Sequence, residues 1–199
     1  MIVTINPATG LTIAEYPSMA SGEIDRLLRL ADAEFRQWRQ TPMEERSRLM
    51  RRLAALLREQ QEAHAHLMSL EMGKPLAQAR GEANKCAWVC DFFADHAGEF
   101  LKPEESDIDG ARGVVRFEPL GVVLGVMPWN FPYWQVLRFA APAIMAGNSV
   151  VVKHAPNVTG CSIAIEKLFV EAGFPEYLYR AVHVAPEEVD RMTGFMIDH

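Results

Sequence analysis

Residues 122–127 and 149–153 are short valine-rich runs, and each leads into an amphipathic segment of helical length, 134–146 after the first and 158–172 after the second. Strands joined through a helix lie parallel, because the crossover returns the chain to the starting end of the sheet. The alternation therefore predicts an α/β chain, with any ligand beyond the carboxyl ends of the strands. Met127, Pro128, Trp129 and Asn130 stand at the first such end, and Lys153, His154, Ala155 and Pro156 at the second.

Upstream the apolar period changes from two to that of a helix. Ile24, Leu27, Leu28, Ala31, Phe35 and Trp38 form one stripe over 23–39, which Thr41 and Pro42 end. A second helix is expected from 42–45 to about residue 72, where Gly73 and Pro75 supply stop signals, and a third over 76–100 with a Trp88 and Phe92 face. The acidic stretch 102–113 then precedes another β-rich segment at 114–118.

A net charge of −6 argues against nucleic-acid binding, which needs a basic surface. The cluster Arg46, Arg48, Arg51, Arg52 and Arg58, interleaved with leucines, reads as the wet face of a helix. No apolar run is long enough to span a bilayer, and Met1-Ile-Val-Thr4 lacks the basic and apolar regions of an export signal, so a cytoplasmic location is expected. The three cysteines suit reduced thiols: Cys86 and Cys90 read as core and Cys161 as a packed side chain near a helix start. His64, His66 and His96 offer no closed ligand set, so no metal site is expected.

Asn6-Pro-Ala-Thr-Gly10, Glu71-Met-Gly-Lys-Pro75, Glu118-Pro-Leu-Gly121, Pro128-Trp-Asn-Phe-Pro132, Met145-Ala-Gly-Asn148 and Ala172-Gly-Phe-Pro175 follow one another in this order. Together they resemble the aldehyde dehydrogenase superfamily over essentially all 199 residues. Lys153-His-Ala-Pro-Asn157, where many relatives have Lys-Pro-Ala or Lys-Pro-Ser, is most similar to bacterial NAD(P)-dependent succinate-semialdehyde dehydrogenases. Complete members are more than twice as long. The resemblance thus implies that residues 1–199 are an incomplete N-terminal cofactor-binding domain, namely N-terminal helices plus part of a Rossmann-like parallel sheet, with the catalytic domain absent. It also places residues 103–121 in part of an oligomerisation hairpin, and so implies a homo-oligomer.

For the site, the resemblance implies that Asn130 polarises the aldehyde oxygen and that Lys153 holds the adenosine ribose of NAD or NADP, with Met127 to Asn130 and Lys153 to Pro156 lining the cofactor. Residue type alone leaves alternatives open: Asn130 also suits a turn, and Lys153 a solvated strand exit. None of the thirteen glycines lies two residues from another, so no Gly-x-Gly loop cradles a pyrophosphate. The family's Gly-Ser turn, reactive cysteine and glutamate base would fall beyond His199, so the chain alone is expected to be inactive.

Pro156 stands where NAD-preferring relatives often have a glutamate, which leaves NADP open. Arg138 occupies the position of an arginine in succinate-semialdehyde dehydrogenases and suits a distal carboxylate, although it equally suits an exposed helix face. Tyr177 replaces the usual glycine and puts the adenine-side fit of its segment in question. The leading reading is part of an aldehyde dehydrogenase oxidising an aldehyde such as succinate semialdehyde. The alternative is a noncatalytic nucleotide-binding or assembly module derived from that family.

Overall fold

The structure, a computed structural model, describes residues 1–109, 111–184, 189 and 192–194. Strands β1 (Ile2–Ile5) and β2 (Thr12–Tyr16) form an antiparallel hairpin. Four helices follow: α1 (Ser21–Trp38), α2 (Met43–Glu59), α3 (Gln61–Met72) and α4 (Leu76–Phe100). Strands β3 (Glu104–Ile108) and β4 (Ala111–Val115) make a second antiparallel hairpin. The chain then alternates β5 (Val122–Met127), α5 (Trp134–Met145), β6 (Ser149–His154), α6 (Thr159–Ala172) and β7 (Tyr179–Val182).

The last three strands build one parallel sheet in the order β5-β6-β7. Strand β6 is buried throughout, and its alternate side chains serve two cores. Val150 and Val152 face the core shared with α2, α4, α5 and α6, whereas Val151 joins Ile24, Leu27, Leu28 and Ala31 of α1 on the opposite face. A central strand covered by helices on both faces needs an unbroken apolar run, which explains the valines that betrayed it in the sequence.

The expected helix from 42–45 to residue 72 is two helices, divided at Gln60 (φ −101°, ψ 14°). No proline or glycine marks the break, and the apolar spacing passes through it in phase, from Leu57 to His64, Ala65 and Met68. The side-chain amide of Gln60 instead reaches the Glu171 carboxylate on α6. Strand β4 lies at Ala111–Val115 rather than 114–118, because the acidic stretch before it contributes β3 and pairs with it. Strands β1, β2 and β7 had no sequence expectation.

The arginine cluster is a wet face at all its positions but one. Arg48, Arg51, Arg52 and Arg58 are exposed or half-exposed and pair with Glu45, Asp95, Glu59 and Asp91. Arg46 is buried, and its guanidinium donates to the carbonyls of Met145, Trp38 and Arg39. It thereby satisfies the carbonyl ends of α5 and α1, which neither helix can satisfy internally. Among the described residues, no helix is long and apolar enough to cross a membrane.

Candidate functional site

The two strand ends singled out by sequence lie side by side. Val126 pairs with Lys153 and Met127 with His154, so the Pro128–Pro132 turn leaves β5 beside the point where Ala155 and Pro156 leave β6. Lys153 also pairs with Val182 of β7 and is largely buried. Pro156 opens a short 3-10 turn that leads into α6.

His154 joins the two ends. It is 4 % exposed, its Nε2 is 2.8 Å from the Pro132 carbonyl, and its Nδ1 accepts from the Ala155 amide at 2.9 Å. Accepting at Nδ1 leaves the proton on Nε2, which donates to Pro132. Burial depresses the imidazole pKa to about 4, so the ring is neutral at pH 7.

The helices that follow the two strands each begin against a buried carboxylate from the α3–α4 region. Glu82 on α4 accepts from the Tyr133 and Trp134 amides at 2.9 Å each, and its other oxygen pairs with buried Lys74. Lys74 in turn places its ammonium 3.8 Å from the Phe131 ring centroid. Glu71, at the end of α3, accepts from the Gly160 and Cys161 amides at 2.8 Å each. Burial raises the Glu71 pKa, and the amides of Cys161 and Gly160 oppose the rise. Helix starts expose unpaired amides and a partial positive charge, and carboxylates fill both here. Two amides at the start of each helix are therefore already bonded to side chains of this chain.

Three asparagines show different uses of one side chain. Asn6 accepts from the Ala8 amide two residues on, as a turn residue does, and Asn148 bridges Leu120 and Gly121 to Ala143. Asn130 is exposed, and its amide makes no hydrogen bond to the described residues.

The chain that carries this parallel sheet, the Pro-Trp-Asn-Phe-Pro turn and the adjoining lysine has counterparts among known proteins. The profile of the Aldehyde dehydrogenase family matches residues 1–194. The chain belongs to the aldehyde dehydrogenase family. A probable NADP-dependent succinate-semialdehyde dehydrogenase of Synechocystis sp. is 46% identical over 181 residues, which cover 91% of this chain and 40% of that protein. The NAD(P)-dependent succinate semialdehyde dehydrogenase Sad of Escherichia coli K12 is 41% identical over 190 residues, covering 96% and 41%. The crystal structure of succinic semialdehyde dehydrogenase from Streptococcus pyogenes, in complex with NADP+, superposes with a TM-score of 0.93 at 31% identity, covering 96% of this chain and 42% of that one. The chain thus spans about two-fifths of the length of these relatives and corresponds to their N-terminal portion.

Within this aldehyde dehydrogenase segment, Met127 is half-buried and Pro128, Trp129 and Asn130 are exposed at the sheet's carboxyl edge. Arg138 is exposed on α5, one turn after Trp134, and has no acidic partner among the described residues. Tyr177 lies apart from the site, under the Arg180 guanidinium at 5.2 Å. Cys86, Cys90 and Cys161 are buried free thiols, and burial raises the pKa of each. Among the described residues no group of three potential metal ligands comes together. Sequence reasoning gave Glu82 no role, quoted Glu71 and Lys74 only within a motif and weighed His64 only as a metal ligand, whereas His64 bonds to the buried Tyr133 hydroxyl at 2.8 Å. The available signal was a charged residue at apolar helix positions, as at Glu82 between Ala79 and Cys86 on the buried face of α4.

Proposed function

We propose that the chain is the N-terminal part of an NAD(P)-dependent aldehyde dehydrogenase that oxidises succinate semialdehyde to its acid, supplying the aldehyde-activating amide and the ribose side of the cofactor cleft. The observation that carries this reading is the β5–β6 register, which sets the segment bearing Asn130 beside the one bearing Lys153, while Asn130 is exposed and no described residue bonds its side-chain amide.

Asn130 donates from its side-chain nitrogen to the aldehyde oxygen, which gains charge as a thiolate adds to the carbonyl carbon. A neutral amide does this at any working pH, and one such donor typically contributes about 3 to 4 kcal/mol to the transition state. Lys153 donates its ammonium to the adenosine ribose hydroxyls, and the backbone from Met127 to Asn130 and from His154 to Pro156 lines the same cleft. A nicotinamide cofactor held along this cleft would supply the hydride acceptor for the oxidation. With Pro156 where a glutamate would repel a 2′-phosphate, the cleft admits NADP as well as NAD. Arg138 presents a guanidinium fork to the distal carboxylate of the substrate.

The attacking thiolate is not one of this chain's own. All three thiols are buried and biased toward the protonated form, whereas nucleophilic attack requires an accessible thiolate. The isolated 199-residue chain is therefore expected to give no NAD(P)-dependent turnover of succinate semialdehyde, and calorimetry should show weak cofactor binding that Lys153→Ala weakens only slightly. Turnover abolished by Cys161→Ala, or tight binding indifferent to Lys153, would overturn the assignment.

A further inference from the structure

The Pro128–Pro132 turn contributes little to its own restraint, since Pro128, Trp129, Asn130 and Phe131 are all exposed. What restrains it comes from two other segments. His154 bonds the last carbonyl of the turn, at Pro132, and the first amide after β6, at Ala155. Glu82 bonds the next two amides, at Tyr133 and Trp134, while its partner Lys74 lies against Phe131. Consecutive residues 131 to 134 thus each meet a buried side chain from outside the turn.

We propose that His154 and Glu82 are positioning residues that hold the Asn130 amide in one orientation, His154 by tying the asparagine-bearing strand end to the lysine-bearing one and Glu82 by seating the first turn of α5. The assignment rests on Asn130 being the substrate-facing amide. A donor gains its catalytic effect by being oriented before charge develops, so the groups that orient it matter although they never touch substrate. His154 acts only as the neutral Nε2–H tautomer, because a second proton on Nδ1 would face the Ala155 amide with a donor. Lys153 beside it and His183 beyond β7 both oppose that proton.

The test uses the 199-residue chain and nuclear magnetic resonance of the Trp129 indole, the Asn130 side-chain amide and the Tyr133 and Trp134 backbone amides. In the wild type, at a concentration below the onset of association, these signals are expected to be sharp at pH 7 and to move together as pH falls through about 4, where His154 protonates. His154→Phe keeps the bulk, removes both bonds and should shift and broaden Trp129 and Asn130 at pH 7 while abolishing the transition near pH 4. Glu82→Ala should speed exchange of the Tyr133 and Trp134 amides at least tenfold beyond any change in global protection, and Glu82→Gln, which keeps an acceptor, should restore most of it. Signals of folded His154→Phe that superpose on the wild type at both pH values would overturn the proposal. So would Tyr133 and Trp134 exchange rates that only follow global stability. Asn130→Ala separates this from the underlying reading: if it leaves turnover intact in an active enzyme carrying these residues, the catalytic assignment of Asn130 fails even where the turn loosens as described.

Discussion

Glu71, Lys74, Glu82 and His154, buried around the site, are each paired or hydrogen-bonded, and the cost of disturbing them differs from residue to residue. Glu82 satisfies two amides and one ammonium at once. Removing it strands a buried lysine and two helix-start amides, whereas desolvating the intact pair brings little net gain. Glu82→Ala is therefore expected to cost about 3 to 5 kcal/mol, read as a lower denaturant midpoint. Combining it with Lys74→Met, which removes the stranded charge, should recover part of that loss. Equal stability of the single and double variants would show that the ammonium finds water or another partner. At Glu82 the sequence offered only a charged residue on an apolar helix face between Ala79 and Cys86, with no sign of the amides and ammonium that it meets. Asn130 was visible, because the flanking prolines and aromatics define its turn, yet only the absence of a bond to the described residues separates it from Asn6 and Asn148.

At the scale of elements, α5 is the piece on which the site depends, and it is too short to be stable alone. Its twelve residues include Pro142, which removes one internal hydrogen bond. Side chains from other helices compensate at both ends: Glu82 of α4 at the amide end and Arg46 of α2 at the carbonyl end. The signs of both charges oppose the helix dipole favourably. Arg46→Leu keeps much of the stem's bulk but leaves three carbonyls without the guanidinium. A loss of roughly 2 to 4 kcal/mol is expected, with earlier hydrogen exchange at the α5 carboxyl end than elsewhere in the helix. A loss below about half a kcal/mol would mean that water replaces the guanidinium freely. The bounds of α4 and α5 were close to those expected, since Pro75 and the apolar stripes announce them. The α2–α3 break at Gln60 was not, because its cause is a partner on α6 rather than a local stop signal.

For the whole molecule, the layers leave surfaces that its own helices do not cover. The sheet has β5 and β7 at its edges, and Val126 on β5 is 56% exposed. Val114, Val115, Phe117 and Leu120, in and after the β3–β4 hairpin, are exposed as well. Exposed apolar surface and an open strand edge both favour association. Light scattering is expected to give a mass that rises with concentration in the micromolar range, and replacing residues 104–115 by a short glycine-serine linker should lower it. A monodisperse monomer at high micromolar concentration would mean that these faces stay apart in water. The strand–helix alternation, the parallel sheet and the order of the family motifs were determined by the sequence alone, because each depends on near-neighbour spacing or on a short local pattern. Tertiary structure alone decided which charged side chains are buried, which two helix starts are filled and how the Asn130 turn is held. The physical reason is distance along the chain: Glu82 lies 51 residues from Tyr133 and Glu71 lies 89 from Gly160, and only the packed fold brings such donors and acceptors together.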